Sequence, residues 1–185
     1  MHPLIHLALK DYVEAHHGVK GWLGFLEQAG VSTAVPYVRV GEYPDQELIA
    51  IINAVAAGTG TSVDEVLEDF GRSMAGNLIT MYPRLIRPEW KSLDLLCATE
   101  QTIHTIVRQG QVGARPPVLD CLRVSPTEVR LRYESSRRLC ALARGIMKGV
   151  GQYYGETLRI REPACMHRGD QSCELVITLA QPGSA

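Results

Sequence analysis

The chain has 185 residues, and its 19 Lys and Arg against 20 Asp and Glu give a formal net charge of −1. That length suits one domain or two packed subdomains, and 45% hydrophobic with 21% charged residues is ordinary globular composition, which excludes disordered, collagen-like and coiled-coil chains. Near-neutral charge supplies no concentrated basic face for nucleic acid, the longest apolar stretch, Leu48 to Ala57, falls far short of the ~20 residues that span a bilayer, and the start MHPLIHLALKD carries neither a basic leader nor a cleavage site.

The expectation is therefore a cytoplasmic protein that engages neither nucleic acid nor membrane. In chain order, the first half reads helical. Leu4, Ile5, Ala8, Leu9, Tyr12 and Val13 form a helical stripe that stops at Gly18, and a second short helix fits Gly21 to Ala29. His2 and His6 lie four apart on the first helix, where exposure to solvent is expected. Asp45 is the expected N-cap of a helix over Gln46 to Ala57. Ser62 opens the next helix with the capping box S-V-D-E, and that helix runs past Gly71 to about Ile79. Pro83 and Pro88 punctuate the connection to a long helix over Ser92 to Gln109.

The period then changes. Val118 to Val124 reads as a strand, Ser125-Pro126-Thr127 as a turn, and Glu128 to Glu134 as an alternating strand with Val129, Leu131 and Tyr133 on one face. A helix from about Arg137 to Tyr154 separates this hairpin from a second one, Thr157 to Glu162 and Cys173 to Leu179, turning around His167 to Asp170. The fold class is α+β, a helical N-terminal part beside a four-stranded antiparallel sheet with helices.

Three groups of residues carry chemistry. His104 lies 7 and 11 residues after Cys97 and Leu93, near-integral numbers of helical turns, so it stands on their apolar stripe. A histidine there is commonly a satisfied core residue; it also offers a dry wall with one neutral imidazole nitrogen, which a metal-bound macrocycle requires. Arg115-Pro116-Pro117 is a stiff connection or a wedge against a flat ligand. Tyr133-Glu134-Ser135-Ser136-Arg137 reads Y-x-S-x-R, and in extended chain two hydroxyls and a guanidinium fall on one side, a set suited to carboxylates.

The five cysteines are an odd, modest number that fits thiols or a metal site better than a disulfide scaffold. Cys165 and Cys173 flank the second hairpin turn with His167 between them, and Cys140 lies early in the preceding helix. Three thiolates and one nitrogen or oxygen ligand make a tetrahedral zinc site; a Cys165–Cys173 disulfide or free thiols are the alternatives. Cys97 and Cys121 read as small buried residues. No Ser-His-Asp order, paired carboxylates, P-loop or Rossmann glycine pattern supports an enzyme.

His104, a Pro-Pro pair twelve residues later and Y-x-S-x-R sixteen residues after Pro117 resemble the haem nitric oxide/oxygen-binding (H-NOX) domain, stand-alone bacterial type, related to the sensor domain of soluble guanylate cyclase. The resemblance covers nearly the whole chain, taken as a single domain over 1–185 with a distal helical subdomain over about 1–62 and a proximal α+β subdomain over about 63–185. It implies haem b bound without covalent attachment between the subdomains. His104 would be the proximal iron ligand. Tyr133, Ser135 and Arg137 would hold the propionates, and Pro117 would press on the porphyrin. Ile5, Leu9, Met74, Leu78 and Leu142 would line the distal side or its surroundings, and Asp45 would stand where the family has an acidic residue able to pair with the arginine.

Oxygen-binding members carry a tyrosine at the position of Leu142, with polar support where Leu9 and Met74 stand here. The resemblance therefore implies selectivity for nitric oxide, with carbon monoxide also bound. Some bacterial members hold zinc with a histidine at the position of Glu162; here the fourth ligand beside Cys140, Cys165 and Cys173 is His167 or Glu162, with His167 preferred on ligand softness. The expected function is a gas sensor, not a catalyst. Nitric oxide breaks the His104–iron bond, the subdomains shift, and a separate histidine kinase or diguanylate cyclase receives the signal. Two alternatives stand beside it: a cysteine/zinc redox sensor with haem secondary or absent, and an enzyme using haem for peroxide or oxygen chemistry, disfavoured because no positioned acid or base is visible.

Overall fold

The computed structural model describes residues 3–34, 37–38, 42–110 and 114–180. The backbone separates into two compact units, Met1–Phe70 and Gly71–Ala185, so the division falls inside a helix.

The first unit is helical. α1 (Pro3–Gln28) is two helices in one axis, broken at Gly18, whose φ of 69° and ψ of 174° lie outside the helical region. A side chain with a Cβ resists that backbone, so glycine is what permits the kink. The sequence stripe therefore ends where expected, although hydrogen bonding continues beyond it. α2 (Asp45–Thr59) starts one residue earlier than its expected cap: Pro44 is the N-cap, and Asp45 is the first helical residue. Fixed φ makes proline a ready helix starter, and Asp45 instead places a carboxylate in the first turn. α2 stops at Gly60, which adopts the left-handed conformation.

α3 (Val63–Met81) opens on the capping box read from sequence. The Glu65 N–H donates to Ser62 Oγ at 3.2 Å, and the Ser62 N–H donates to Glu65 Oε2 at 2.9 Å. In the first unit Leu9, Val13, Leu48, Ile51, Ile52 and Phe70 are almost wholly buried, each such side chain being worth about 1.5–3 kcal/mol of burial.

His6 departs from its expected exposure. It is completely buried, its ring centroid 5.1 Å from those of both Tyr37 and Tyr43. Burial pushes its pKa down to about 4, so the ring is neutral. His2, its expected neighbour, lies outside the described residues.

The second unit is α+β. The expected long helix over Ser92 to Gln109 is α4 (Ser92–Ala98), a π-helical turn over Glu100–His104, and α5 (Thr105–Gly110). The cause is local. The Thr99, Thr102 and Thr105 hydroxyls donate to the carbonyls of Leu95, Ala98 and Glu100. Hydroxyls bonded back to the preceding turn compete with the backbone ladder and widen it, and the His104 N–H reaches the Thr99 carbonyl five residues back at 3.0 Å.

β1 (Val118–Ser125) and β2 (Glu128–Glu134) form the first hairpin; β3 (Leu158–Ala164) and β4 (Cys173–Leu179) form the second. The sheet is antiparallel in the order β1-β2-β4-β3. Its alternation places Val129, Leu131 and Tyr133 of β2 and Cys173, Leu175 and Ile177 of β4 on the buried face. These pack with α4 and with α6 (Cys140–Tyr153). α6 begins later than Arg137 because Arg138 holds φ at 52°, which an α-helix does not admit.

α3 and α6 approach closely at two glycines. A Cβ on Gly71 would lie 2.4 Å from the Leu142 carbonyl oxygen, and one on Gly149 would lie 2.5 Å from that of Arg72. Leu142 and its neighbours on α6 are set against α3 by this contact.

Candidate functional site

The π-turn decides where His104 points. Its Nδ1 lies 3.0 Å from Oε2 of Glu100, one turn earlier. The same carboxylate receives Arg108 Nη1 at 2.7 Å through Oε1 and the Leu119 N–H at 3.1 Å through Oε2. Burial works against ionisation of Glu100, but the bonds from Arg108, His104 and Leu119 hold its carboxyl below the usual carboxylate range. For His104, burial outweighs the attraction of Glu100, and its pKa is lowered. A neutral imidazole whose Nδ1–H is held by a carboxylate is the arrangement seen where histidine ligates a metal; the ring also hydrogen-bonds to the Pro117 backbone. Only 15% of the His104 side chain is exposed.

Pro117 ends the connection from α5 into β1; its carbonyl accepts a bond from Arg108 Nη2 at 3.3 Å. Glu100 and Arg108 together therefore bind the proline segment to the histidine segment.

The Y-x-S-x-R stretch is half strand and half turn. Tyr133 is the last inward-facing residue of β2, 3% exposed, and burial pushes its phenol up to about 12. Ser135 to Arg138 form a turn, closed by the Arg138 N–H to the Ser135 carbonyl at 3.1 Å. Ser135 Oγ accepts the Arg137 N–H at 3.2 Å, and the Arg137 guanidinium reaches the Arg115 carbonyl. The extended-chain expectation for all three is corrected: Tyr133 alone lies in strand, and the turn supplies Ser135 and Arg137.

The residues expected on the distal side divide between the units. Ile5 and Leu9 are on α1, half-buried and fully buried. Met74 and Leu78 are on the part of α3 within the second unit, and Leu142 is on α6; Met74 and Leu142 are buried, Leu78 half-buried.

The cysteines sort differently from expectation. Cys97 of α4 and Cys121 of β1 are joined in a disulfide, where two small buried thiols were expected. The Cys165–Cys173 disulfide alternative is overturned: Cys140, Cys165 and Cys173 are free and buried. Cys140 Sγ lies 3.0 Å from Cys173 Sγ, which lies 3.8 Å from Cys165 Sγ. Burial, and then the neighbouring sulfurs, push the Cys140 thiol well above its ordinary range.

Glu162 is the fourth member of this group, with all four ligand atoms within 4.8 Å of one another. His167, the preferred fourth ligand, is not a member of this group. His167 is exposed, with Nε2 2.7 Å from the Arg138 carbonyl oxygen. His167 lies in the 3₁₀ turn Met166–Arg168 and bonds the carbonyl that Cys140 Sγ also approaches, at 3.7 Å, whereas Glu162 of β3 places a carboxylate oxygen among the sulfurs. Glu162 Oε2 pairs with Arg144 at 2.8 Å, and its Oε1 is buried without a hydrogen-bond partner. A lone carboxylate oxygen beside three thiols fits a divalent cation, and a zinc tetrahedron with ~2.3 Å zinc–sulfur bonds has edges of about 3.8 Å.

A helix-borne neutral histidine oriented by a carboxylate and a Tyr-Ser-Arg set suited to paired carboxylates fit a non-covalently bound haem. The fold and these residues together define a haem-binding sensor domain. A sequence model described as haem-NO-binding matches residues 2–162, and the chain belongs to that family, the H-NOX domains, which are haem-based gas sensors. Among solved structures, an H-NOX protein from S. oneidensis in the Fe(II)NO ligation state is 26% identical, with a TM-score of 0.90 over 98% of this chain and 100% of that one. The SO2144 H-NOX domain from Shewanella oneidensis in the Fe(II)CO state is 27% identical, with a TM-score of 0.86 over 98% and 99%. The Fe(II) unliganded H-NOX protein from K. algicida, 19% identical over 100% of both chains with a TM-score of 0.87, shares the fold. No curated protein matches. No helix among the described residues is long and apolar enough to cross a membrane.

Proposed function

We propose that this chain is a haem b sensor selective for nitric oxide, working as a sensor and not as a catalyst. The observation that carries this reading is the 3.0 Å contact from His104 Nδ1 to Glu100, by which a carboxylate orients a largely buried imidazole whose Nε2 would bind iron. When bound, the haem supplies a ferrous iron that takes up a diatomic gas. His104 holds that iron from one side. Tyr133, Ser135 and Arg137 hold the propionates, and Pro117 bears on the ring.

Ile5, Leu9, Met74, Leu78 and Leu142 keep the gas side apolar. Stable oxygen binding calls for a hydrogen-bond donor, which these residues do not offer; nitric oxide and carbon monoxide do not need one. His104 lets go of the iron when nitric oxide binds, and its segment is freed to reset. A shift of the helical unit against the α+β unit then passes the state to a separate partner, a histidine kinase or a diguanylate cyclase.

Anaerobic absorption spectra of the ferrous protein before and after nitric oxide test this. A Soret band that moves to the five-coordinate nitrosyl position, with no stable oxygen complex, is expected. Haem binding by a His104→Gly protein as tight as wild type, with unchanged nitric oxide spectra and no added imidazole, sinks the ligand assignment.

A second reading rests on the buried, unpartnered Glu162 Oε1 beside three thiols. Cys140, Glu162, Cys165 and Cys173 hold zinc, and loss of thiolates to oxidation releases it. Tyr133 pairs with Cys173 across β2 and β4, so this group adjoins the propionate clamp. A colourless protein containing one zinc per chain favours the cysteine site as the main sensor, with haem secondary or absent.

A further inference from the structure

The cluster of three thiols is not the only redox chemistry in the second unit. Cys97 and Cys121 are disulfide-bonded, with Cα atoms 5.0 Å apart, inside the range a disulfide spans without moving backbone. Cys97 is near the C-terminal end of α4; Cys121 is in β1, an edge strand of the sheet. Both are half-buried, unlike Cys140, Cys165 and Cys173, which are buried. The chain thus keeps two sets of sulfurs with different access to small reagents.

The placement of this bond gives it a role. It closes a ring from residue 97 to residue 121, and the ring contains the π-turn Glu100–His104, α5 and Pro117. Within the same ring a second tie, from the Glu100 carboxylate to the Leu119 N–H, joins the π-turn to β1. With the disulfide formed, the segment before His104 is held to the strand covalently. With it reduced, packing and that hydrogen bond hold it. π-helical hydrogen bonding is the weak part of this segment, so the covalent tie lies next to the place where backbone opening is easiest.

We propose that Cys97 and Cys121 form a reversible thiol–disulfide modification site that exchanges with a small disulfide such as oxidised glutathione and pins the His104 segment to β1 when oxidised. In the oxidising direction one cysteine thiolate attacks a sulfur of the small disulfide and forms a mixed disulfide, expelling one glutathione thiolate. The second cysteine thiolate attacks the protein-side sulfur of that bond and expels the second. The two cysteine thiols lose two electrons and two protons, and one oxidised glutathione becomes two reduced glutathiones. The consequence for gas response rests on His104 being the iron ligand; the exchange chemistry and the pinning do not.

The full chain as purified, equilibrated in oxidised or reduced glutathione, tests both parts. Differential alkylation with peptide mass mapping is expected to show Cys97 and Cys121 protected together under oxidising conditions, in one cross-linked peptide pair lacking two hydrogens. Alkylatable cysteines in both buffers, or stable glutathione adducts without the cross-link, overturn the exchange. Amide hydrogen exchange over residues 99–108 is expected to be ~10-fold slower in the oxidised form. Equal exchange in the two forms overturns the pinning. A Cys121→Ser protein should show the faster exchange in both buffers; the wild-type comparison stands by itself if that variant folds poorly. In haem-loaded protein, oxidised glutathione should slow formation of the five-coordinate nitrosyl spectrum. A protein that never takes up haem yet shows the redox-dependent exchange fails the sensor reading alone. A normal nitrosyl spectrum with redox-independent exchange fails this proposal alone.

Discussion

Nδ1 of His104 and Oε2 of Glu100 are 3.0 Å apart, four residues from each other and within one π-helical turn. The carboxylate also gathers Arg108 and the Leu119 N–H, so it is fixed from three sides. An acceptor fixed in this way sets the tautomer and the direction of the imidazole, and raises its basicity as a ligand.

Replacing Glu100 tests that arrangement. Glu100→Ala should weaken haem retention about 10- to 100-fold, the usual cost of removing an outer partner of a metal-bound histidine. Glu100→Gln should keep most of the haem but lower the iron–histidine stretching frequency in the resonance Raman spectrum, because an amide is a weaker acceptor than a carboxylate. An unchanged stretch in both variants would show that Glu100 does not act on the imidazole.

Zinc content separates the two candidate fourth ligands. Cys165→Ser should lose the metal outright, and Glu162→Ala should bind it more weakly, while His167→Ala should retain it, because His167 faces the Arg138 carbonyl. Elemental analysis of the purified variants after dialysis reads this directly. Zinc lost from His167→Ala and kept in Glu162→Ala would reverse the assignment.

His6 predicts an acid limb in stability. Its folded pKa, about 4, lies below the 6.5 of an exposed histidine, chiefly because burial disfavours the charged ring. The unfolded chain therefore binds the extra proton between these values, and stability falls as pH drops from about 6.5 toward 4. Above 6.5 the contribution is fully present. The shift corresponds to ~3 kcal/mol at most. Denaturant melts of wild type and His6→Phe across this window should show the difference narrowing as pH falls; parallel curves would rule out a buried neutral His6.

The crossing of α3 and α6 should tolerate no side chain at its two glycines. Backbone atoms are the obstacles at both Gly71 and Gly149, so Gly71→Ala and Gly149→Ala should each cost about 1–3 kcal/mol. Gly24, exposed on α1 with nothing near its Cβ position, is the control. Gly24→Ala should be neutral or slightly stabilising in thermal melts.

Local patterns in the sequence carry most of the elements, because each depends on neighbours within a few residues. The S-V-D-E box starts α3, Gly18 breaks α1, and the Val129-Leu131-Tyr133 alternation fixes the buried face of β2. His104, Tyr133, Ser135 and Arg137 stood out in the sequence for the same reason, as residue types at set spacing, and their roles toward haem are those the resemblance implies. Glu100 was missed although it stands four residues before His104, and the run of Thr99, Thr102 and Thr105 was the available sign of a widened helix. The pairing of Cys97 with Cys121 and the grouping of Glu162, rather than His167, with the three free thiols emerged only in three dimensions. Both depend on which sulfurs and oxygens the packing of α4 on β1, and of α6 on the second hairpin, brings within bonding reach. Separation along the chain carries no record of that distance.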